Sequence, residues 1–133
     1  MSQENVEIVR AVYEAFARGD GVTPFEFYAP DIVWDASALA VLDATVFHGH
    51  DGVRAAFRDL LATFREFEFQ ADELRAAGDC VLATIHERGV GRASGVVLER
   101  RHDALWTLRD GKVVRMRVYL DRSADLEAVG LRE

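Results

Sequence analysis

Few side chains in this sequence are placed to move a proton. Asp121 follows the strand-like run Lys112 to Leu120 and precedes Arg122-Ser123-Ala124. A carboxylate in a mostly apolar pocket has its charged form destabilised, so its pKa rises and proton transfer at a carbon next to a carbonyl becomes feasible. The competing role is an N-cap, with Asp121 or Ser123 accepting from free N–H groups of a closing helix. His102 shares a strand face with Leu98, Ala104, Trp106 and Leu108, and its imidazole suits proton shuttling near neutral pH. It also lies in Glu99-Arg100-Arg101-His102-Asp103, a charged run of the kind found on solvated strand surfaces. His86, on the face of Leu82, Thr84 and Arg88, has the same standing.

Other constellations carry less. His48 and His50 beside Asp51 lack a clear third and fourth ligand, so they are expected to shape a helix start rather than bind metal. Gly89-Val90-Gly91-Arg92-Ala93-Ser94-Gly95 joins two strands and lacks the strand-to-helix context of a phosphate cradle. The lone cysteine, Cys80, cannot form an internal disulfide and is expected to act as a small apolar residue.

Hydrophobic periodicity gives the elements that must position these groups. Val6, Val9, Tyr13 and Phe16 predict an amphipathic helix over 3–18, capped by Ser2 and ended by Gly19. Thr23-Pro24 starts a short helix to Tyr28, stopped by Pro30, and Ile32 to Asp35 is a short strand. Residues 36–49 show no clear period and are expected to form a lid or an irregular part of the core. A second helix covers 51–64. The period then falls to two, with Phe67, Phe69 and Ala71 alternating against Glu66, Glu68 and Gln70. Strands follow at Cys80 to Val90, Val96 to Leu108 and Lys112 to Leu120, the last two joined by an Asp110-Gly111 hairpin signal. A short helix closes the chain. Helices at the front and a meander at the back argue for α+β, with a curved antiparallel sheet around the helices.

Strand parity makes the role of Asp121 conditional. Val114, Met116, Val118 and Leu120 lie on one face, and Arg115, Arg117, Tyr119 and Asp121 on the other. If Asp121 faces a pocket, the apolar face needs a covering partner; if the apolar face is interior, Asp121 is a cap unless the strand bulges.

At 133 residues the chain is expected to be one domain. Its formal net charge of -7, with no segregated basic patch, argues against nucleic acid and anionic membrane as partners. The N-terminus lacks a signal-peptide pattern and no apolar run is long enough to span a bilayer, so a cytoplasmic location is expected.

The helix at 3–18, Tyr28-Ala29-Pro30-Asp31-Ile32-Val33-Trp34, Phe47-His48-Gly49-His50-Asp51-Gly52-Val53, Trp106 to Val114 and Tyr119 to Leu131 together resemble the SnoaL-like branch of the NTF2-like superfamily. The resemblance spans nearly the whole chain. It implies a cone-shaped α+β barrel with a pocket at its open end, commonly in a homodimer. That fold serves ketosteroid isomerases, polyketide cyclases, epoxide hydrolases, dehydratases and proteins that only bind. It further implies an acid/base role for Asp121, with His102 or His86 as partner, and a pocket shaped by Tyr13, Phe16, Trp34, Trp106 and Tyr119. Tyr13 matches the first-helix tyrosine that serves ketosteroid isomerases as an oxyanion donor. The isomerase base position falls near Ala36, one residue from Asp35, and a one-residue shift reverses the strand face, which argues against that steroid-type chemistry. The expectation is cofactor-free acid/base catalysis on a small hydrophobic molecule; the alternative is a non-catalytic binding or scaffold protein.

Overall fold

A computed structural model describes residues 2–39, 46–120 and 130. Helix α1, Ser2–Ala17, turns Val6, Val9, Val12, Tyr13 and Ala15 inward, as the three-and-four spacing requires. Gly19 ends it at a φ of 73°, which a residue without Cβ adopts at little cost, and the Asp20 N–H reaches back to Ala15 O at 2.9 Å. Asp20 Oδ1 accepts from the N–H groups of Val22 and Thr23, both at 3.0 Å, so it organises the tight helical turn Thr23–Phe27 expected to be capped by Thr23.

Strand β1, Tyr28–Asp35, starts earlier than the sequence suggests. Pro30 lies within it rather than stopping the chain before it. A residue without an N–H cannot complete a ladder, and the pairing register shifts between Tyr28 and Val33. The aperiodic segment holds a three-residue strand, β2, Val46–His48, and residues 40–45 of it lie outside the described residues. Helix α2, Gly49–Thr63, buries Val53 and half-buries Ala56, Phe57 and Leu60. Strand β3, Phe64–Ala77, is longer than the alternation at 66–71 predicts. Strand β4, Cys80–Gly91, takes in Gly89 and Gly91, leaving a shorter turn before β5, Val97–Arg109. Asp110 and Gly111, at φ 53° and 77°, make the tight turn into β6, Lys112–Tyr119. Of the closing segment only Gly130 is described, so the terminal helix and Asp121 lie outside the described residues.

The strands form one curved six-stranded sheet in the order β2-β1-β6-β5-β4-β3. The barrel is not closed. Neighbours are antiparallel except β1 and β6, which run parallel, so the sheet is more than the antiparallel meander expected. Both helices pack on its inner side, where Ile32, Val81, Ala83, Ile85, Ala104, Trp106, Leu108 and Val113 join α1 in one core. An irregularity between Thr107 and Leu108 inserts Val114 as an extra residue in β6, so Val113, Met116 and Val118 all reach the interior. Arg115 and Arg117 are exposed on the outer face. The apolar face of β6 is therefore the inner one at Met116 and Val118.

Gly89 is required by contact rather than by φ. A Cβ there would lie 2.8 Å from Phe64 Cδ1 and 3.1 Å from Phe67 Cδ2. Its bare backbone lets both rings lie against β4.

Ile32 is fully buried beside the irregularity in β1. Ile32→Ala should lower unfolding stability by about 2–5 kcal/mol, read from denaturant midpoints, because the rigid surround cannot collapse into the space. A loss within error of zero would show that β1 is not part of the core.

Candidate functional site

Between the inner sheet face and the helices lies a cavity of about 510 Å³. Its wall is largely aromatic. Tyr13 and Phe16 come from α1, Trp34 from β1, Phe57 from α2, Phe69 from β3 and Trp106 from β5. Several of these rings meet edge to face: Tyr13 and Trp106 have centroids 5.5 Å apart at 81°, and Trp34 and Trp106 5.6 Å at 84°. Trp106 Nε1–H donates to the Tyr13 hydroxyl oxygen at 3.1 Å, fixing the helix to the sheet. With that oxygen accepting, the Tyr13 O–H remains available as a donor. Burial raises the Tyr13 pKa, so the hydroxyl stays protonated at neutral pH.

Into this wall three neighbouring side chains bring polarity. Glu87 on β4 faces Arg100 directly across the ladder, and His102 lies two residues along β5 on the same face. Arg100 Nε–H donates to Glu87 Oε1 at 2.6 Å. The Glu87 side chain has no solvent exposure, whereas that of Arg100 is 32% exposed, so the guanidinium connects a buried carboxylate to water. His102 Nδ1 lies 3.4 Å from Glu87 Oε2, out of hydrogen-bond alignment. Both atoms are buried and find no hydrogen-bond partner among the described residues. Such orphaned polar atoms cost roughly 1–3 kcal/mol each.

The environment shifts the two groups in opposite directions. Burial raises the Glu87 pKa, and Arg100 works against that shift. Burial also pushes His102 down to about 4, helped by Arg100 and opposed by Asp103. The imidazole is therefore neutral at pH 7.

Among the residues picked out in the sequence, His102, Tyr13, Phe16, Trp34 and Trp106 line the cavity together. His86 does not join them. It lies on the outer face, its Nε2 3.8 Å from Glu99 Oε1. Tyr119 lies on that face too, half-buried in a small cluster with Leu82, Leu105 and Cys80, with the Arg117 guanidinium 4.8 Å over its ring. Asp121 lies outside the described residues. Glu87 and Arg100 escaped the sequence reading because each sits in a charged run. The available signal was alternation: Val81, Ala83 and Ile85 point inward, and the next residue of that parity is Glu87.

His50 accounts for its own conservative placement, its Nε2 3.0 Å from Tyr28 O and its ring stacked edge-on to Phe25. Among the described residues no group of three or more His, Cys, Asp or Glu side chains is arranged to hold a metal ion. No described helix is long and apolar enough to cross a membrane.

Comparison with known proteins agrees with this architecture. The model of the SnoaL-like domain matches residues 9–116. An uncharacterized protein of Mycobacterium tuberculosis is 29% identical over 122 residues, covering 90% of this chain and 92% of that protein. Among solved structures, an NTF2-like protein of unknown function from Burkholderia pseudomallei superposes with a TM-score of 0.78 at 23% identity, covering 95% of this chain and 97% of its own. A putative polyketide cyclase from Xanthomonas campestris gives 0.73 at 21% identity, covering 96% and 98%. Likeness at these identities is a likeness of fold.

The His102 shift has a measurable sign. Between pH about 4 and the usual 6.5 the unfolded chain carries a proton on this ring that the folded chain does not. Its contribution to stability is therefore full above 6.5 and is lost as pH falls towards about 4. Glu87 acts oppositely: its raised pKa favours the folded state below 4.5, and that contribution is lost as pH rises through the folded value. The two partly offset in global unfolding, so NMR titration of the imidazole C–H resonances is the direct reading. His102 should keep its neutral shift down to about pH 4. An inflection near 6.5 would show that the ring is not shielded from water.

Proposed function

The chain belongs to the SnoaL-like domain family, and from that premise we propose that it is a small-molecule enzyme that moves a proton on a compact hydrophobic substrate without a cofactor. The observation supporting this is the buried Glu87 carboxylate, with one oxygen held by Arg100 and the other unpartnered in an aromatic cavity. Base strength follows pKa, so Glu87, whose pKa is raised, serves as the base and then returns the proton as the acid. Arg100 fixes the carboxylate in place and limits the pKa rise. His102, held neutral, orients the substrate by hydrogen bonding. The free O–H of Tyr13 is the donor for an oxyanion developing on the substrate. Asp121 is retained as a second acid/base candidate on the strength of its place after β6.

The proposed working unit is a homodimer, the assembly that the SnoaL-like resemblance implies. Sedimentation at micromolar concentration should give twice the chain mass of 14.9 kDa. A single species at the chain mass would remove this part of the reading.

Proton exchange next to a carbonyl tests the chemistry without knowledge of the natural substrate. In deuterated buffer the protein should speed exchange of the methylene hydrogens of phenylacetone, followed by NMR. Glu87→Gln should slow the protein-dependent rate by roughly 10²–10⁴-fold, the usual contribution of a positioned acid or base. Loss in Asp121→Asn with Glu87→Gln unaffected would transfer the role to Asp121. No acceleration by the wild-type protein would favour a binding protein with no chemistry.

A further inference from the structure

We propose that the cavity selects hydrophobic molecules that end in a primary amine, with the nitrogen held as ammonium between Glu87 Oε2 and His102 Nδ1. This rests on the preceding assignment of the cavity as the binding site and not on Glu87 acting as a base, since an oxygen engaged by an ammonium takes no proton from carbon; it concerns the head group of the ligand alone.

The argument starts from the two atoms. Glu87 Oε2 and His102 Nδ1 are 3.4 Å apart, buried, and without hydrogen-bond partners among the described residues. A carboxylate oxygen offers only lone pairs. In the proposed arrangement the neutral imidazole carries its hydrogen on Nε2, which leaves a lone pair at Nδ1. The pair then presents two acceptors side by side, and one atom bearing at least two hydrogens answers both. An ammonium does so with a hydrogen to spare. An alcohol has one hydrogen and leaves one acceptor unanswered. An ether or hydrocarbon answers neither, and a carboxylate ligand sets its own lone pairs against them.

Charge and shape agree with this. Among the described residues the cavity lining carries two carboxyl side chains, Glu87 and Asp59, against one guanidinium, Arg100. Arg100 directs its Nε–H to Glu87 Oε1, leaving Oε2 without a hydrogen-bond partner among the described residues. An ammonium entering the site loses water, and the loss is offset by the carboxylate and by the negative faces of the surrounding rings. Trp34, Trp106, Tyr13 and Phe57 supply such faces while burying the apolar body of the ligand.

The probe series is phenethylamine, phenethyl alcohol, phenylacetate and ethylbenzene, which share a phenyl ring and differ in the head group. Trp34 and Trp106 are the only tryptophans of the chain and both line the cavity, so intrinsic fluorescence reports occupancy, with calorimetry as the second readout. Phenethylamine should bind the wild-type protein at least about tenfold more tightly than phenethyl alcohol, the margin of one further charge-assisted hydrogen bond. Phenylacetate should bind more weakly than the alcohol. Glu87→Gln should bring the amine and alcohol affinities to within about threefold of each other, because the neutral amide cannot hold the charge. Ethylbenzene binding and the melting temperature check that the variant keeps its cavity. The wild-type ranking stands as a test even if that variant does not fold. Alcohol or phenylacetate binding as tightly as the amine would overturn the amine selectivity and leave the cavity assignment intact. Absence of binding by all four probes to the wild type would overturn both.

Discussion

A fully buried carboxylate can stay in an apolar interior only if something repays its lost hydration, and here that is the guanidinium of Arg100, 2.6 Å away on the next strand. Much of the site follows from this pairing. The ladder register sets Glu87 opposite Arg100, so the pair needs no loop to hold it. Because Arg100 satisfies one oxygen, the other is left unpartnered among the described residues, beside His102 Nδ1. Because Arg100 is itself partly exposed, the charge of the pair is anchored at the rim and its acceptor lies inside. Replacing either partner alone would leave an uncompensated charge, so the two residues form one functional unit.

The apolar part of the wall is held just as firmly. Tyr13, Trp106, Trp34 and Phe57 touch in sequence, linking α1 to β5, β5 to β1 and β1 to α2. Rings packed edge to face resist sliding, and the Trp106 to Tyr13 hydrogen bond pins the helix in register with the sheet. The cavity is thus a space between elements that are cross-braced across it. Apolar lining and structural core are largely the same side chains, which is why Trp34, Trp106 and Tyr13 also count among the buried core.

This overlap explains what the sequence made legible. Both helices, the hairpin at Asp110-Gly111 and the late strands follow from local periodicity and turn chemistry, and they emerge within a few residues of their observed ends. The α+β architecture follows from them, while the family is carried by the resemblance of particular segments. Strand β2 and the parallel pairing of β1 with β6 depend on contacts between distant segments, which no local window contains. The aromatic wall was visible because large rings on inward parities are conspicuous. Glu87 was not, since His86-Glu87-Arg88 reads as a solvated stretch until the parity set by Val81, Ala83 and Ile85 is carried one step further. Which face of β6 is inner depends on where the helices pack, which alternation alone does not carry; the extra residue at Val114 breaks that alternation only at the start of the strand.

Gly89 separates two properties that most pockets entangle. The rings of Phe64 and Phe67 lie where its side chain would be, and both line the cavity. A methyl group at that position would press on them rather than on Glu87, Arg100 or His102. The free space of the cavity is therefore adjustable from the backbone at one end of β4, while Glu87, two residues away, stays untouched. Related chains could diverge in cavity volume and still keep the same polar residues, with the divergence recorded at an otherwise inconspicuous small residue.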